Sequence, residues 1–284
     1  MTLTLAWNRY GKSRIRLVKI RRSPGRPHDI VDLTIGVQLE GEFDAVYVDG
    51  DNRGCLPTDT MKNTVYAFAR QDPIDHIESF ALRLTDHFAA KPGVARTRIS
   101  LVEQPWERIV AQGGPHPHAF VHAGGETWTA EVVRDSDGSR VSAGVSDLVV
   151  LKSAHSAFAG FPRDRFTTLP ETSDRILATS LTAVWRYRPG AANFGTRDAI
   201  RAALLDTFAG HDSRSVQHTL YAMAEAALRA CPDVTAVTLT MPNRHHLLVD
   251  LTPFGLDNPN EIFVATDQPF GLIEATVARA VGEK

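Results

Sequence analysis

One order of elements occurs twice along this chain, and it limits the available folds more than any other feature. Apolar residues mostly two apart mark strands at RIRLVKI (14–20) and DIVDLTIGVQLEG (29–41). Helical spacing follows. Met61, Val65 and Phe68 form a stripe after LPTDT (56–60), and Ile74, Ile77, Ala81, Leu84 and Phe88 form a second, stopped by Pro92-Gly93. TRISLVEQPWERI (97–109) and HAFVHAGGETWTAEVV (118–133) return to strand patterning. The succession then restarts. SRVSAGVSDLVVLKS (139–153) and ILATSLTAVWRYRP (176–189) predict strands. Helices are predicted after Thr196, carrying Ile200, Ala203, Leu204 and Phe208, and after Val216, carrying Leu220, Met223, Ala227 and Ala230. VTAVTLTMP (234–242) and HLLVDL (246–251) predict strands, and EIFVATD (261–267) a short one. A last helix is predicted over 272–280, with Ile273, Val277 and Ala280 on one face.

Two halves with one pattern predict an α+β protein. Each half is expected to be an antiparallel four-stranded sheet with two helices on one face. The expected domains are 1–136 and 137–284, divided at the turn-forming stretch Asp135-Ser136-Asp137-Gly138, which is expected to turn a hairpin. Long strands with open edges invite aggregation unless they are paired. Joining halves edge to edge, and then joining subunits, would close the sheet into a barrel without edges. A barrel-forming oligomer is therefore expected.

Composition narrows the partners. Hydrophobic residues make up 43 % of 284, enough to bury a core. The formal net charge of −2 gives no basic excess for nucleic acid. Two distant cysteines, Cys55 and Cys231, suit a reducing compartment better than a disulfide framework or a cysteine zinc site. The start MTLTLAWNRYGKSRIR lacks the apolar run of a signal peptide, and no stretch is apolar for long enough to span a membrane. The end VGEK is not the peroxisomal tripeptide. The expected location is the cytoplasm.

Several polar groups admit two roles each. In LPTDT, Thr58 or Asp59 can cap a helix, or the helix start can receive an anion while the hydroxyl relays a proton. Lys12 in YGKS is either a solvated turn residue or, partly buried, a base. Arg175 in PETSDRIL either pairs with Asp174 or Glu171 on the surface or offers a planar fork to a carbonyl or anionic ring edge. In SVQHTLY, Ser215 would cap while the Val216 N–H and the Gln217 amide face a ligand. In MPNRHHLLVD, Asn243 and Arg244 suit a polar hairpin turn. His245 and His246 would face opposite sides of a strand and so cannot share one metal. His116, His118 and His122 in HPHAFVH form the best metal suspect, but Pro117 disturbs the strand and no supporting carboxylate is evident. No metal site is expected. No dinucleotide, P-loop, nucleophile-elbow or H-E-x-x-H motif occurs.

YGKSRIRLVKI, TDTMKNTVYAFARQ, LKSAHSAFAGFPRDRFTTLPETSDRIL, SVQHTLY, MPNRHHLLVDL and PFGLIEATVAR stand together in one order. In these motifs the chain resembles the urate oxidase (uricase) family along nearly its whole length. The resemblance implies the tunnelling fold, with two tandem domains per subunit and a homotetramer enclosing a channel. It implies oxidation of urate by O2 and water to 5-hydroxyisourate and hydrogen peroxide, in purine catabolism, with no metal and no organic cofactor. It also implies roles. Arg175 and Gln217 would clamp the urate edges, Phe158 would stack on the purine, and the Val216 N–H would meet a urate oxygen. Thr58 and Asp59 would reach that ligand from a neighbouring subunit. Lys12, Thr58 and His245 resemble a proton-relay triad, and Asn243 would hold dioxygen or water above the ring.

Overall fold

The computed structural model describes residues 3–111 and 113–280. Its elements run β1 Tyr10–Arg21, β2 Asp29–Gly41, a short α1 Asp44–Val48, α2 Thr58–Gln71, α3 Ile77–Ala89, β3 Val94–Gln104, β4 Trp106–Ala111, β5 Gly114–His122 and β6 Thr127–Asp135. They continue with β7 Gly138–Lys152, β8 Leu177–Tyr187, α4 Arg197–Gly210, α5 Val216–Ala230, β9 Val234–Pro242, β10 His245–Leu248, β11 Phe263–Thr266 and β12 Leu272–Ala278. By contacts the chain divides into two units, Met1–Gly144 with Arg186–Gly195, and Val145–Trp185 with Thr196–Lys284. Ser136 and Asp137 turn the hairpin between β6 and β7.

In the first unit the sheet order is β1-β2-β3-β6. Leu33, Ile35, Val37 and Leu39 alternate along β2 and are all fully buried. That period of two presents one apolar face, which α2 and α3 cover with Met61, Val65, Phe80, Leu84 and Phe88. Each such side chain contributes about 1.5–3 kcal/mol by leaving water. α2 packs on β1, and α3 on β3 and β6.

In the second half of the chain the order is β7-β8-β9-β12, with β7 divided between the units at Gly144. α5 packs on β9 and β12, and α4 on α5. Ile200, Leu204, Phe208, Leu220, Met223 and Ala227 carry the helical stripes, all buried. Each half of the chain thus has four sheet strands and two long helices, as the pattern predicts.

Three local expectations need correction. The segment predicted as a final helix over 272–280 is β12, paired antiparallel with β9 from Leu272↔Pro242 to Ala278↔Ala236. Ile273 and Val277 lie four apart, which shares a face in a helix and in a strand alike, so spacing could not decide. The cross-strand contacts did: the Thr238 and Thr276 hydroxyls meet at 2.7 Å, and Thr240 donates to Glu274 at 2.8 Å. β10 and β11 consequently form a separate two-stranded ribbon instead of completing the sheet. Finally, the long strands predicted over 97–109 and 118–133 are four strands. Pro105 ends β3, and β4 pairs with β5 as a second ribbon.

Candidate active site

Lys12 lies on β1, where the register slips. Lys12 faces Val37 but Ile15 faces Ile35, so β1 carries one residue more than β2, and Arg14 adopts φ 56°. Lys12 and Ile15 are three apart and would point to opposite faces of a regular strand. The bulge cancels that. Directly opposed residues share a face, so Lys12 joins the side of Val37, which the helices cover. There Lys12 is half-buried, and its charge acts on Asp59. Among the described residues its ammonium has no hydrogen bond or ion pair.

Tyr10, on the same face as Lys12, ties the strand to the start of α2. Its hydroxyl accepts the Leu56 N–H at 2.9 Å, and its ring meets the edge of Phe43 at 4.9 Å. Burial, then the neighbouring Cys55, pushes its hydroxyl up to about 12, so Tyr10 stays neutral. Nothing in the residue pattern assigned Tyr10 a part. Its place in YGKS, two before Lys12, was the available signal.

Pro57 occupies the cap position of α2, and no side chain caps the helix. The capping role open to Thr58 and Asp59 is therefore not taken. Thr58 is half-buried at the first helical position. Asp59 is bound by its own helix, pairing with Lys62 and accepting Asn63 Nδ2 at 2.9 Å. Lys62 holds its carboxyl below the usual carboxylate range, chiefly through that hydrogen bond. The first N–H groups of α2 remain unused, as at any helix start without a cap.

The second unit assembles the other group. Arg175 lies just before β8, half-buried, with its guanidinium 5.2 Å from the Phe158 ring centroid. Phe158 stacks in turn on Phe161 at 4.9 Å and 15°, and exchanges backbone hydrogen bonds with Thr172 at 2.8 and 3.0 Å. The surface ion pair with Asp174 or Glu171 does not form. Asp174 accepts the Ser156 N–H and Glu171 the Gly160 N–H, each at 3.2 Å. Arg175 Nε is buried without a partner, and burial lowers its affinity for the proton. A buried cation with no anion is costly, and an anionic ligand would relieve it.

Ser215 caps α5, its Oγ accepting the His218 N–H at 3.1 Å. Val216 is buried and Gln217 exposed. Beneath this start, His211 Nδ1 lies 3.2 Å from Thr219 Oγ1, and its ring meets that of His218 at 4.3 Å. Lys152 Nζ donates to the His211 carbonyl at 2.5 Å. Burial, and then the charges of His218 and Lys152, disfavour protonated His211. Sequence reasoning did not single out His211, because its partners come from other elements.

Asn243 and Arg244 do not form a hairpin turn. The chain passes from β9 into β10, with Asn243 N–H donating to Gly271 at 2.8 Å and Arg244 N–H to Ala178 at 2.9 Å. His245 is half-buried opposite Thr266, and His246 Nδ1 lies 3.1 Å from the Arg244 carbonyl. Among the described residues, no cluster of three His, Cys, Asp or Glu side chains is placed to hold a metal. His116 and His118 rings meet edge to face at 4.5 Å, while His122 reaches Gln104 at 3.2 Å.

A duplicated α+β architecture, with four antiparallel sheet strands and two long helices in each half, defines a protein with tandem tunnelling-fold domains. The uricase family model matches residues 8–133 and 141–274, one stretch for each half. The chain is similar to the uricase of Arthrobacter globiformis, 45% identical over 279 residues, 98% of this chain and 90% of that one. To the uricase of Cyberlindnera jadinii it is 36% identical over 297 residues, 98% of both chains. The crystal structure of the Arthrobacter globiformis uricase superposes with a TM-score of 0.94 at 43% identity, over 100% of this chain and 98% of that one. The chain belongs to the uricase family.

Proposed function

We infer that this chain is a urate oxidase, which oxidises urate with O2 and water to 5-hydroxyisourate and hydrogen peroxide in purine catabolism, without metal or organic cofactor. The unpaired, half-buried Arg175 over Phe158, beside a family match that spans both halves, carries this reading.

Urate is a planar anion at neutral pH. Arg175 gives it charge-assisted, roughly bidentate hydrogen bonds. Gln217 offers a donor and an acceptor to the purine edge, and the Val216 N–H meets a ring oxygen. Phe158 stacks on the ring, worth about 1 kcal/mol. Thr58 and Asp59 arrive from a neighbouring subunit. Lys12 arrives with them, because Tyr10 fastens its strand to the helix start that carries Thr58. Lys12, Thr58 and His245 relay a proton away from bound urate, leaving an electron-rich dianion. The dianion passes an electron to O2, since the delocalised ring stabilises the resulting urate radical. Recombination gives a peroxide adduct, which loses hydrogen peroxide as water enters. Asn243 orients the small molecules over the ring.

The assembly is a homotetramer of subunits with domains 1–136 and 137–284, working in the cytoplasm. Its support is physical. β1 and β12 are the edge strands of the strand order, and Leu247, Leu248 and Val264 of the β10–β11 ribbon are exposed. Among the described residues, no helix is long and apolar enough to cross a membrane. Sedimentation at micromolar protein checks the assembly, and a stable monomer would overturn it. For the activity, urate absorbance is followed with peroxide release and oxygen uptake. A chain that binds urate but consumes no oxygen would be a purine-binding protein instead.

A further inference from the structure

The inward row of β8 reads Leu177, Thr179, Leu181, Ala183, Trp185, and every member is buried. Thr179 breaks this apolar row. It is fully buried, and its Oγ1 has no hydrogen-bond partner. Valine has nearly the same shape and would fill the place without stranding a hydroxyl, so packing does not account for threonine here. Position does. Thr179 pairs directly with Asn243 in an antiparallel bridge, flanked by the hydrogen bond from Arg244 N–H to Ala178 at 2.9 Å. Directly opposed residues in such a pair share a face, with Cβ atoms roughly 4.5–5.5 Å apart. The orphan hydroxyl and the Asn243 carboxamide therefore stand on the same face as directly opposed neighbours. Four residues before it in the chain stands Arg175, whose Nε is likewise buried and unpartnered.

We propose that Thr179 is a positioning residue that donates its hydroxyl hydrogen to Asn243 Oδ1 when the site is occupied. A carboxamide can turn either end to a ligand. With its oxygen held by Thr179, Asn243 can present only its NH2 group, a donor suited to dioxygen, to peroxide or to water. Thr179 touches neither urate nor dioxygen, so it acts on turnover and not on urate affinity. This inference rests on the reading that Asn243 orients the small molecules over the ring.

The test uses the full-length, assembled enzyme with Thr179→Val, Thr179→Ser, Asn243→Ala and the double variant Thr179→Val/Asn243→Ala. Thr179→Val is expected to lower kcat about 10-fold, the loss of one oriented hydrogen bond, with KM for urate within about twofold. Its thermal midpoint should stay level or rise, because an orphan hydroxyl has been removed. Thr179→Ser should restore most of kcat. In the Asn243→Ala background, Thr179→Val should cost nothing further. If Thr179→Val does not fold, Thr179→Ala carries the same kcat and KM expectations. Wild-type kcat in a hydroxyl-free variant, a change confined to KM, or an equal loss in the Asn243→Ala background would each overturn the proposal. If Asn243→Ala itself turns over like wild type, the role of Asn243 falls and this proposal with it. If Asn243→Ala is impaired while Thr179→Val is not, only the role of Thr179 falls.

Discussion

The helices α2 and α5 both carry polar residues at their starts, and they begin differently. At α5, Ser215 spends its hydroxyl on the His218 N–H, and the start is closed by its own cap. At α2 the cap position holds Pro57, which has no side-chain acceptor, and Asp59 is occupied by Lys62 and Asn63. Thr58 thus keeps its hydroxyl for another partner. Under the proposed function this difference divides the work, with grip at the capped start of α5 and a proton relay at the uncapped start of α2.

The strongest challenge to that division is the relay side. Lys12→Met should cut turnover by about 10²-fold or more while a urate analogue still binds. Wild-type turnover in this variant would dissolve the contrast between the two starts.

On the grip side, Arg175→Ala should raise the analogue's Kd roughly 10- to 100-fold, the scale of a lost charge-assisted hydrogen bond. Equilibrium binding checks it. A change in kcat alone would move Arg175 from grip to relay.

Caps give a finer comparison. Ser215→Ala should cost about 1 kcal/mol of stability, read by denaturant unfolding, and weaken urate binding modestly. Pro57→Ala, where there is no side-chain cap to lose, should leave the α2 contribution nearly unchanged. Equal losses at both starts would erase the difference.

The smallest expected effect is a pH dependence confined to the α5 side. Burial disfavours protonated His211, so its folded value lies below its ordinary value of about 6.5. The unfolded chain then binds the proton more readily. Stability from neutral His211 is fully present above the ordinary value and is lost as the pH falls from there through the lowered one. Thermal midpoints of wild type and His211→Asn should converge toward acid pH and separate above it. Parallel curves would show that His211 does not sense pH here.

Much of this was legible in residues. The bounds of β2 and the stripes of α2, α4 and α5 followed from spacing, since a buried face must repeat with the period of its element. Spacing failed at Ile273 and Val277, where one interval serves helix and strand alike. It also failed for Lys12, whose face depends on the extra residue in β1, and for Thr179, which looks like any threonine in a strand until its buried hydroxyl is found alone opposite Asn243.

The sequence by itself determined the repeated order of elements, the family and the residue types able to grip and relay, because periodicity and motif are properties of a line of residues. Tertiary structure alone decided that β12 joins β9, that Tyr10 holds Lys12 near the start of α2, and that Arg175 has no carboxylate partner. Those outcomes depend on which distant groups meet in space, and on which buried polar groups are left without a partner.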